Sequence, residues 1–200
     1  MIIGLWPASA LAQGSPSESL WASRPLALEA HVGIGTPVGF AGGYVEYALA
    51  EAIAIGAGAG AGSGSNWLSL HLGAGVRWRA LLGELNAGYV ALEYSTGGYR
   101  DFESYSLMPS GLSERWTDTE VTADRAHWLE PSLGWEHRWR SGVVFRAYYG
   151  AAFMLNPGGR DCVETHYERG EQVDVQPCTP DTETVLPFFG IAIGYAFRGS

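Results

Sequence analysis

Residues 67–79 read WLSLHLGAGVRWR, and from Leu68 onward every second residue is apolar. Successive side chains of a β-strand point to opposite faces, so the apolar residues share one face. The other face carries Ser69, His71, Arg77 and Arg79 together with two glycines. This stretch therefore predicts a long strand with one apolar and one polar side.

The same alternation recurs along the chain and predicts eight strands. The other seven cover residues 26–34, 40–49, 52–61, 84–94, 125–138, 143–155 and 185–197. Roughly 9–11 residues suffice for a tilted strand to cross a bilayer, and bacterial barrels of this kind have an even number of strands. The pattern predicts an all-β fold over 26–197, an eight-stranded antiparallel up-and-down transmembrane β-barrel.

The predicted connections differ in length between the two ends of the barrel. The links after the second, fourth and sixth strands are short, whereas those after the fifth and seventh are long, at 95–124 and 156–184. With strands that alternate in direction, both long loops lie at one end. This asymmetry is typical of transmembrane barrels, which have short periplasmic turns and longer external loops.

The main alternative is a soluble, lipocalin-like ligand-binding barrel, which keeps its apolar face inside. Alternation alone does not decide which face is inside. Only 16% of the residues are charged and lysine is absent, whereas a soluble domain has about 25%. The polar faces are rich in glycine and serine and too poor in charge to form a wall in water, so we expect the apolar face to point outward.

An outward apolar face places the charged residues of the strands inside the barrel. The lumen of an eight-stranded barrel is only wide enough for side chains, and buried charges are costly unless they are paired. We therefore predict a packed network of acids, arginines and histidines. Its predicted members are Glu29, His31, Glu46, His71, Arg77, Arg79, Glu84, Glu130, Glu136, Arg138 and Arg146.

The N-terminal region has the pattern of an export signal. Residues 1–12 are uncharged, mostly apolar and end in Ala10-Leu11-Ala12, which fits a signal-peptidase site. No basic residue precedes the apolar run, which leaves open a translation start further upstream. Residues 13–25 are expected to form a short periplasmic segment before the first strand.

Export implies an oxidising compartment, in which two cysteines are expected to pair. Cys162 and Cys178 both fall within 156–184. Closing a loop of about 15 residues contributes roughly 3 kcal/mol in the chain-entropy model. A metal or redox pair is the alternative, but the CxxC spacing is absent.

The net charge of −9 belongs to the two long loops. Residues 95–124 hold six acids and two arginines, and residues 156–184 hold seven acids and two arginines, which gives −4 and −5. Such a surface disfavours nucleic acid. Acidic external loops are either solvated or bridged through divalent cations to lipopolysaccharide, and without EF-hand spacing no metal site is predicted.

A resemblance supports this reading. The tail GIAIGYAF at 190–197 resembles the C-terminal signal of bacterial outer-membrane proteins, although three residues follow its last aromatic. The resemblance implies that Gly190, Ile193, Tyr195 and Phe197 are read by the barrel-assembly machinery. In plan, residues 26–197 resemble the small eight-stranded barrels typified by the transmembrane domain of outer-membrane protein A, which implies the outer membrane of a Gram-negative bacterium.

The sequence indicates no set of catalytic residues, no cofactor and no ligand. The five histidines are scattered, whereas catalysis needs a nucleophile, a base and an orienting group within reach. The leading hypothesis is a non-enzymatic, monomeric outer-membrane barrel whose loops serve adhesion, recognition or envelope integrity, in contact with membrane lipid and lipopolysaccharide. The alternatives are an enzyme that modifies envelope lipid and a narrow, porin-like pore.

Overall fold

The computed structural model describes residues 19–62, 68–107, 115–180 and 184–199. The predicted signal peptide, 1–12, lies outside these ranges. Within them, the helices are too short to span a membrane.

The described chain is almost entirely β-structure. A one-turn helix, α1 (Leu20–Ser23), precedes the strands, and a 3₁₀ turn, Pro157–Gly159, follows the seventh. The strands are β1 (Leu26–Thr36), β2 (Gly39–Ala50), β3 (Ile53–Gly62), β4 (Ser69–Leu82), β5 (Asn86–Leu107), β6 (Arg115–Arg138), β7 (Val143–Met154), β8 (Asp161–Glu168), β9 (Glu171–Pro177) and β10 (Val185–Phe197).

Eight of these strands close into an antiparallel barrel. Their order is β5-β4-β3-β2-β1-β10-β7-β6, and pairing between β5 and β6 completes the circle. The first and last barrel strands are joined from Leu26↔Phe197 to Ile34↔Phe189. The predicted fold, an eight-stranded up-and-down barrel, is confirmed.

The outer wall of the barrel is apolar and its interior is polar. Leu70, Tyr149 and Ile193 keep 66%, 63% and 61% of their surface exposed, whereas Arg146 and Glu136 are fully buried. A protein folded in water shows the opposite distribution. The barrel is therefore built for an apolar surrounding, and the soluble-barrel alternative is not supported.

The longer connections lie at one end of the barrel, here called the loop end, but they are more ordered than predicted. β5 runs to Leu107 and β6 starts at Arg115, with backbone pairing from Tyr99↔Ala123 to Leu107↔Arg115. Most of the predicted loop 95–124 is therefore a continuation of two barrel strands. Pairing satisfies backbone groups that a long irregular loop would leave to water.

The predicted loop 156–184 is also largely folded. It contains the β8–β9 hairpin, and β8 pairs with the projecting part of β6 from Arg115↔Glu168 to Thr122↔Asp161. The projecting parts of β5 and β6 thus continue into a four-stranded sheet, β5-β6-β8-β9, here called the outer sheet.

The predicted disulfide is present. Cys162 lies in β8 and Cys178 directly follows β9, with 5.0 Å between their Cα atoms. The backbone N–H of Cys178 also donates to the carbonyl of Cys162, at 3.1 Å. The bond therefore fixes the open end of the β8–β9 hairpin.

Candidate functional site

The centre of the lumen is organised around the carboxylate of Glu46. Its Oε1 accepts from Arg79 Nη2 at 2.5 Å, Arg146 Nη2 at 2.7 Å and Arg138 Nη2 at 3.1 Å. Its Oε2 contacts Arg77. A single buried acid on β2 thus contacts arginines from β4, β6 and β7.

A second carboxylate, Glu136 on β6, shares three of these arginines. Its oxygens lie 2.6 Å from Arg138 Nε, 3.1 Å from Arg146 Nε and 3.3 Å from Arg79 Nε. Because each guanidinium presents several donors in a fixed plane, it can bridge two acids. The result is a continuous ionic layer across the lumen.

Glu29 extends this layer along β1. It pairs with Arg146 and, through Oε2, with His31 Nε2 at 3.1 Å. The other ring nitrogen of His31 lies 2.9 Å from the hydroxyl of Tyr148. Arg146 therefore contacts all three glutamates of the layer.

Glycines in the wall leave room for tyrosine rings in the lumen. A Cβ on Gly56 would lie 2.2 Å from Tyr44 Cε1 and 2.8 Å from the carbonyl oxygen of Val45. A Cβ on Gly134 would lie 2.3 Å from Tyr89 Cζ. Both glycines are thus required by close approach, which accounts for part of the high glycine content.

The other end of the barrel, the turn end, is closed by α1. Trp21 is 2% exposed and its indole N–H donates to the carbonyl of Gly83 at 2.9 Å. The guanidinium carbons of Arg138 and Arg79 lie 4.7 and 5.1 Å from its ring, within cation–π range. The described part of the predicted periplasmic segment is therefore a plug that contacts the ionic layer.

At the loop end the lumen widens into a cavity of about 180 Å³, here called the vestibule. Trp128, Tyr99, Phe40 and Leu186 contribute to its apolar lining. Glu130 and Ser95 lie at its inner side, where the Ser95 hydroxyl donates to Glu130 Oε1.

The structure brings together most of the residues predicted for the lumen. Eight belong to the ionic layer: Glu29, His31, Glu46, Arg77, Arg79, Glu136, Arg138 and Arg146. Glu130 is buried but lies beyond the layer, hydrogen-bonded to Ser95, and His71 lines the vestibule.

Glu84 does not lie in the lumen, where it was predicted. Its side chain is 72% exposed and pairs with Arg140 in the turns between strands. The prediction takes Glu84 as part of a polar, inward-facing side of the strand 84–94, but the residues of β5 that point inward are Ala87, Tyr89 and Ala91. The sequence of 90–94 indicates the correct orientation, since Val90, Leu92 and Tyr94 alternate with Ala91 and a glutamate.

That glutamate, Glu93, is a buried lumen residue that the sequence analysis missed. Its Oε1 accepts from the hydroxyl of Tyr44 at 2.8 Å. Trp21, the plug residue, was also missed, because nothing in its local sequence shows that the chain folds back into the barrel.

The C-terminal tail occupies β10 with the alternation that its sequence suggests. Ile193, Tyr195 and Phe197 lie on the outer face, exposed by 61%, 42% and 40%. Gly190 faces inward, where a Cβ would lie 2.6 Å from the ring of Tyr148. Recognition of this tail by an assembly machinery stays a prediction.

Comparisons with known proteins agree on the fold. No family model matches the chain, and no curated protein matches it. The crystal structure of CarO from Acinetobacter baumannii superposes with a TM-score of 0.54 at 13% identity, covering 86% of this chain and 98% of that chain. The structure of CarO2 from the same organism gives 0.55 at 11% identity, covering 87% and 99%. Both are eight-stranded outer-membrane barrels.

Proposed function

We propose that this chain, which has the fold of the small outer-membrane β-barrels, is an integral outer-membrane protein that displays a rigid recognition sheet above a sealed barrel. The observation that carries the proposal is the outer sheet: β5 and β6 continue beyond the barrel, and β8 and β9 add to them. In this orientation the loop end faces the medium and the turn end faces the periplasm.

The filled lumen favours a sealed barrel over a porin-like pore. A pore needs a continuous water path, whereas Arg79, Glu136 and Arg146 are at most 1% exposed and pair across the lumen. Trp21 closes the turn end below them. Ions would have to displace both the ionic layer and the Trp21 plug to cross the barrel.

The outer wall offers little support for an enzyme acting on envelope lipid. His127 lies on that wall, and its Nδ1 is 2.6 Å from the hydroxyl of Tyr94. Its backbone N–H donates to Asn156 Oδ1 at 2.8 Å. Among the described residues, these contacts of His127 include no serine that could act as a nucleophile and no carboxylate that could orient the histidine as a base.

The outer sheet has two properties of a recognition surface. It is preorganised by strand pairing and by the disulfide, which lowers the entropy lost on binding. It is also acidic: residues 161–177 hold five acids and one arginine. Because complementary charge steers a partner and sets its orientation, we propose a positively charged protein or peptide surface as the partner.

The edge of this sheet is accessible. All seven residues of β9 are exposed, and in the described part of the chain β9 pairs only with β8. Exposed edges pair readily with another strand, so an extended basic segment could add to β9 through its backbone.

The test measures binding of the full chain in lipid nanodiscs to beads coated with poly-L-lysine, with poly-L-glutamate as the reference coat. Neutralising the outer sheet with Glu164→Gln and Glu171→Gln should weaken binding to poly-L-lysine at least fivefold. The matched control, Glu84→Gln, removes a glutamate at the turn end and should leave binding unchanged. Equal losses in both variants would reject the outer sheet as the recognition surface.

The double variant Cys162→Ser with Cys178→Ser tests whether the fixed shape of the outer sheet contributes to binding separately from its charge. This pair keeps every charge but frees the hairpin, so binding should fall at least threefold. Wild-type binding by this pair would show that charge alone suffices and that preorganisation plays no part.

A further inference from the structure

The vestibule contains a buried acid that no described residue neutralises. Glu130 is 1% exposed, and its Oε1 accepts from Ser95, while its Oε2 has no hydrogen-bond donor among the described residues. It forms no ion pair in the described part of the chain, unlike Glu46 and Glu136.

A second buried acid lies beside Glu130. Glu93 lies directly opposite Glu130 in the β5–β6 ladder, and both side chains are buried. The partner of Glu93 is the neutral hydroxyl of Tyr44. Arg100, which also lines the vestibule, pairs with Glu120 at 3.0 Å. Ionising a buried acid without a partner is costly, and a cation that brings its own charge removes that cost. The site is therefore suited to a cation from outside the chain.

The walls above the two acids are apolar and aromatic. Trp128 and Tyr99 form a tilted ring pair with centroids 5.5 Å apart, and Phe40 and Leu186 line the same space. Aromatic faces attract organic cations and pack against apolar groups. A cavity of about 150 Å³ holds benzene, so a volume of about 180 Å³ has room for one ring with a short side chain.

We propose that the vestibule is a binding site for a small primary ammonium compound with an apolar body. The ammonium donates to Oε2 of Glu130, and the apolar part lies against Trp128 and Tyr99. The vestibule opens at the loop end, since Thr36, Gly62 and Leu186 lie at strand ends there, so the ligand enters from the medium.

A metal ion is a poorer occupant than an organic cation. In the described ranges, no group of three or more His, Cys, Asp or Glu side chains is arranged to hold a metal. The apolar lining would also leave the remaining coordination positions of a metal without ligands. A carboxylate, an acceptor only, instead matches an ammonium group that brings its own donors.

The test of this site is independent of the proposed function, because Glu130 lies on a barrel strand and not on the acidic β8–β9 hairpin of the outer sheet. The probes are benzylamine and benzyl alcohol, which share the ring and differ in the charged group. Binding to the refolded full chain in detergent micelles is measured by saturation-transfer NMR, with empty micelles as the blank. Benzylamine should bind at least tenfold more tightly than benzyl alcohol.

The decisive variant is Glu130→Gln, which should lower affinity for benzylamine at least tenfold and leave that for benzyl alcohol unchanged. Glu84→Gln, an exposed acid at the turn end, is the matched control and should bind as the wild type does. Folding of each variant is checked by the heat-dependent shift in gel mobility. Equal binding of the two probes to the wild-type chain overturns the proposal even if Glu130→Gln does not fold. Unchanged benzylamine affinity in a folded Glu130→Gln also overturns it.

Discussion

Arg146 on β7 lies directly opposite Glu136 on β6 in the strand ladder, and their Nε and Oε2 atoms are 3.1 Å apart. Both side chains are fully buried. The backbone register thus places a guanidinium beside a carboxylate at the centre of the lumen, and Arg146 joins this pair to Glu29 and Glu46. The stability of the barrel interior therefore depends on pairing as well as on packing.

Replacing Arg146 should destabilise the barrel more than any surface arginine does. Arg146→Ala leaves three acids short of a partner, and breaking a buried pair typically costs about 3–5 kcal/mol. Arg140→Ala is the control, since its pair with Glu84 is exposed and exposed pairs contribute little. Denaturant unfolding in detergent micelles measures both, and similar midpoints for the two variants would contradict the central role of Arg146.

The barrel should not conduct ions. The ionic layer and the Trp21 plug obstruct the lumen at two levels, so reconstituted protein should show no conductance steps in planar bilayers. Stable steps at modest voltage would contradict the sealed lumen.

Trp21→Ala removes the plug but leaves the ionic layer, so the variant should stay closed while unfolding more readily. A large buried side chain is worth about 3 kcal/mol on truncation, and both arginines lose a cation–π partner. Unfolding and conductance are measured on the same preparation. A conducting variant would show that Trp21, rather than the arginines, is the seal.

Removing the disulfide should loosen the β8–β9 hairpin and spare the barrel. In Cys162→Ser with Cys178→Ser, a constraint worth roughly 3 kcal/mol in the chain-entropy model is lost from a loop of about 15 residues. A glutamate-specific protease should then cut near Glu168 and Glu171 several-fold faster, while the barrel fragment keeps its heat-dependent gel shift. Equal cleavage rates in the oxidised wild type and the variant would show that strand pairing alone holds the hairpin.

A side chain at Gly56 should disrupt the lumen. A Cβ there would lie within 3.0 Å of both the Tyr44 ring and the backbone of Val45, and such overpacking typically costs about 1–3 kcal/mol. Gly158→Ala is the control, because a Cβ at Gly158 has nothing within 4 Å. Thermal or denaturant unfolding should separate the two, and equal stability would mean that Tyr44 can move aside.

Much of the fold follows from patterns that are local in sequence. Alternation over 67–79 and its repeats determine which side chains share a face of each strand, because a strand has a period of two. The low charge content of the polar faces then indicates that the apolar face points outward. The even number of barrel strands and the short links at one end follow from the same pattern. The pairing of Cys162 with Cys178 follows from export and from there being only two cysteines.

Only the tertiary structure determined how residues distant in sequence meet. Glu84 was placed in the lumen because alternation was counted from residue 84, whereas the strand starts at Asn86 and turns Ala87, Tyr89 and Ala91 inward. A shift of one residue reverses every side chain. The β8–β9 hairpin was missed because its strands are polar and β9 is exposed throughout, and because pairing between β6 and β8 joins segments far apart in the chain. The same holds for Trp21 beneath the arginines and for Glu130 facing an open vestibule. Local sequence sets the period of a strand, whereas barrel closure sets which charges become neighbours and which buried acids, such as Glu130, have no ion pair among the described residues.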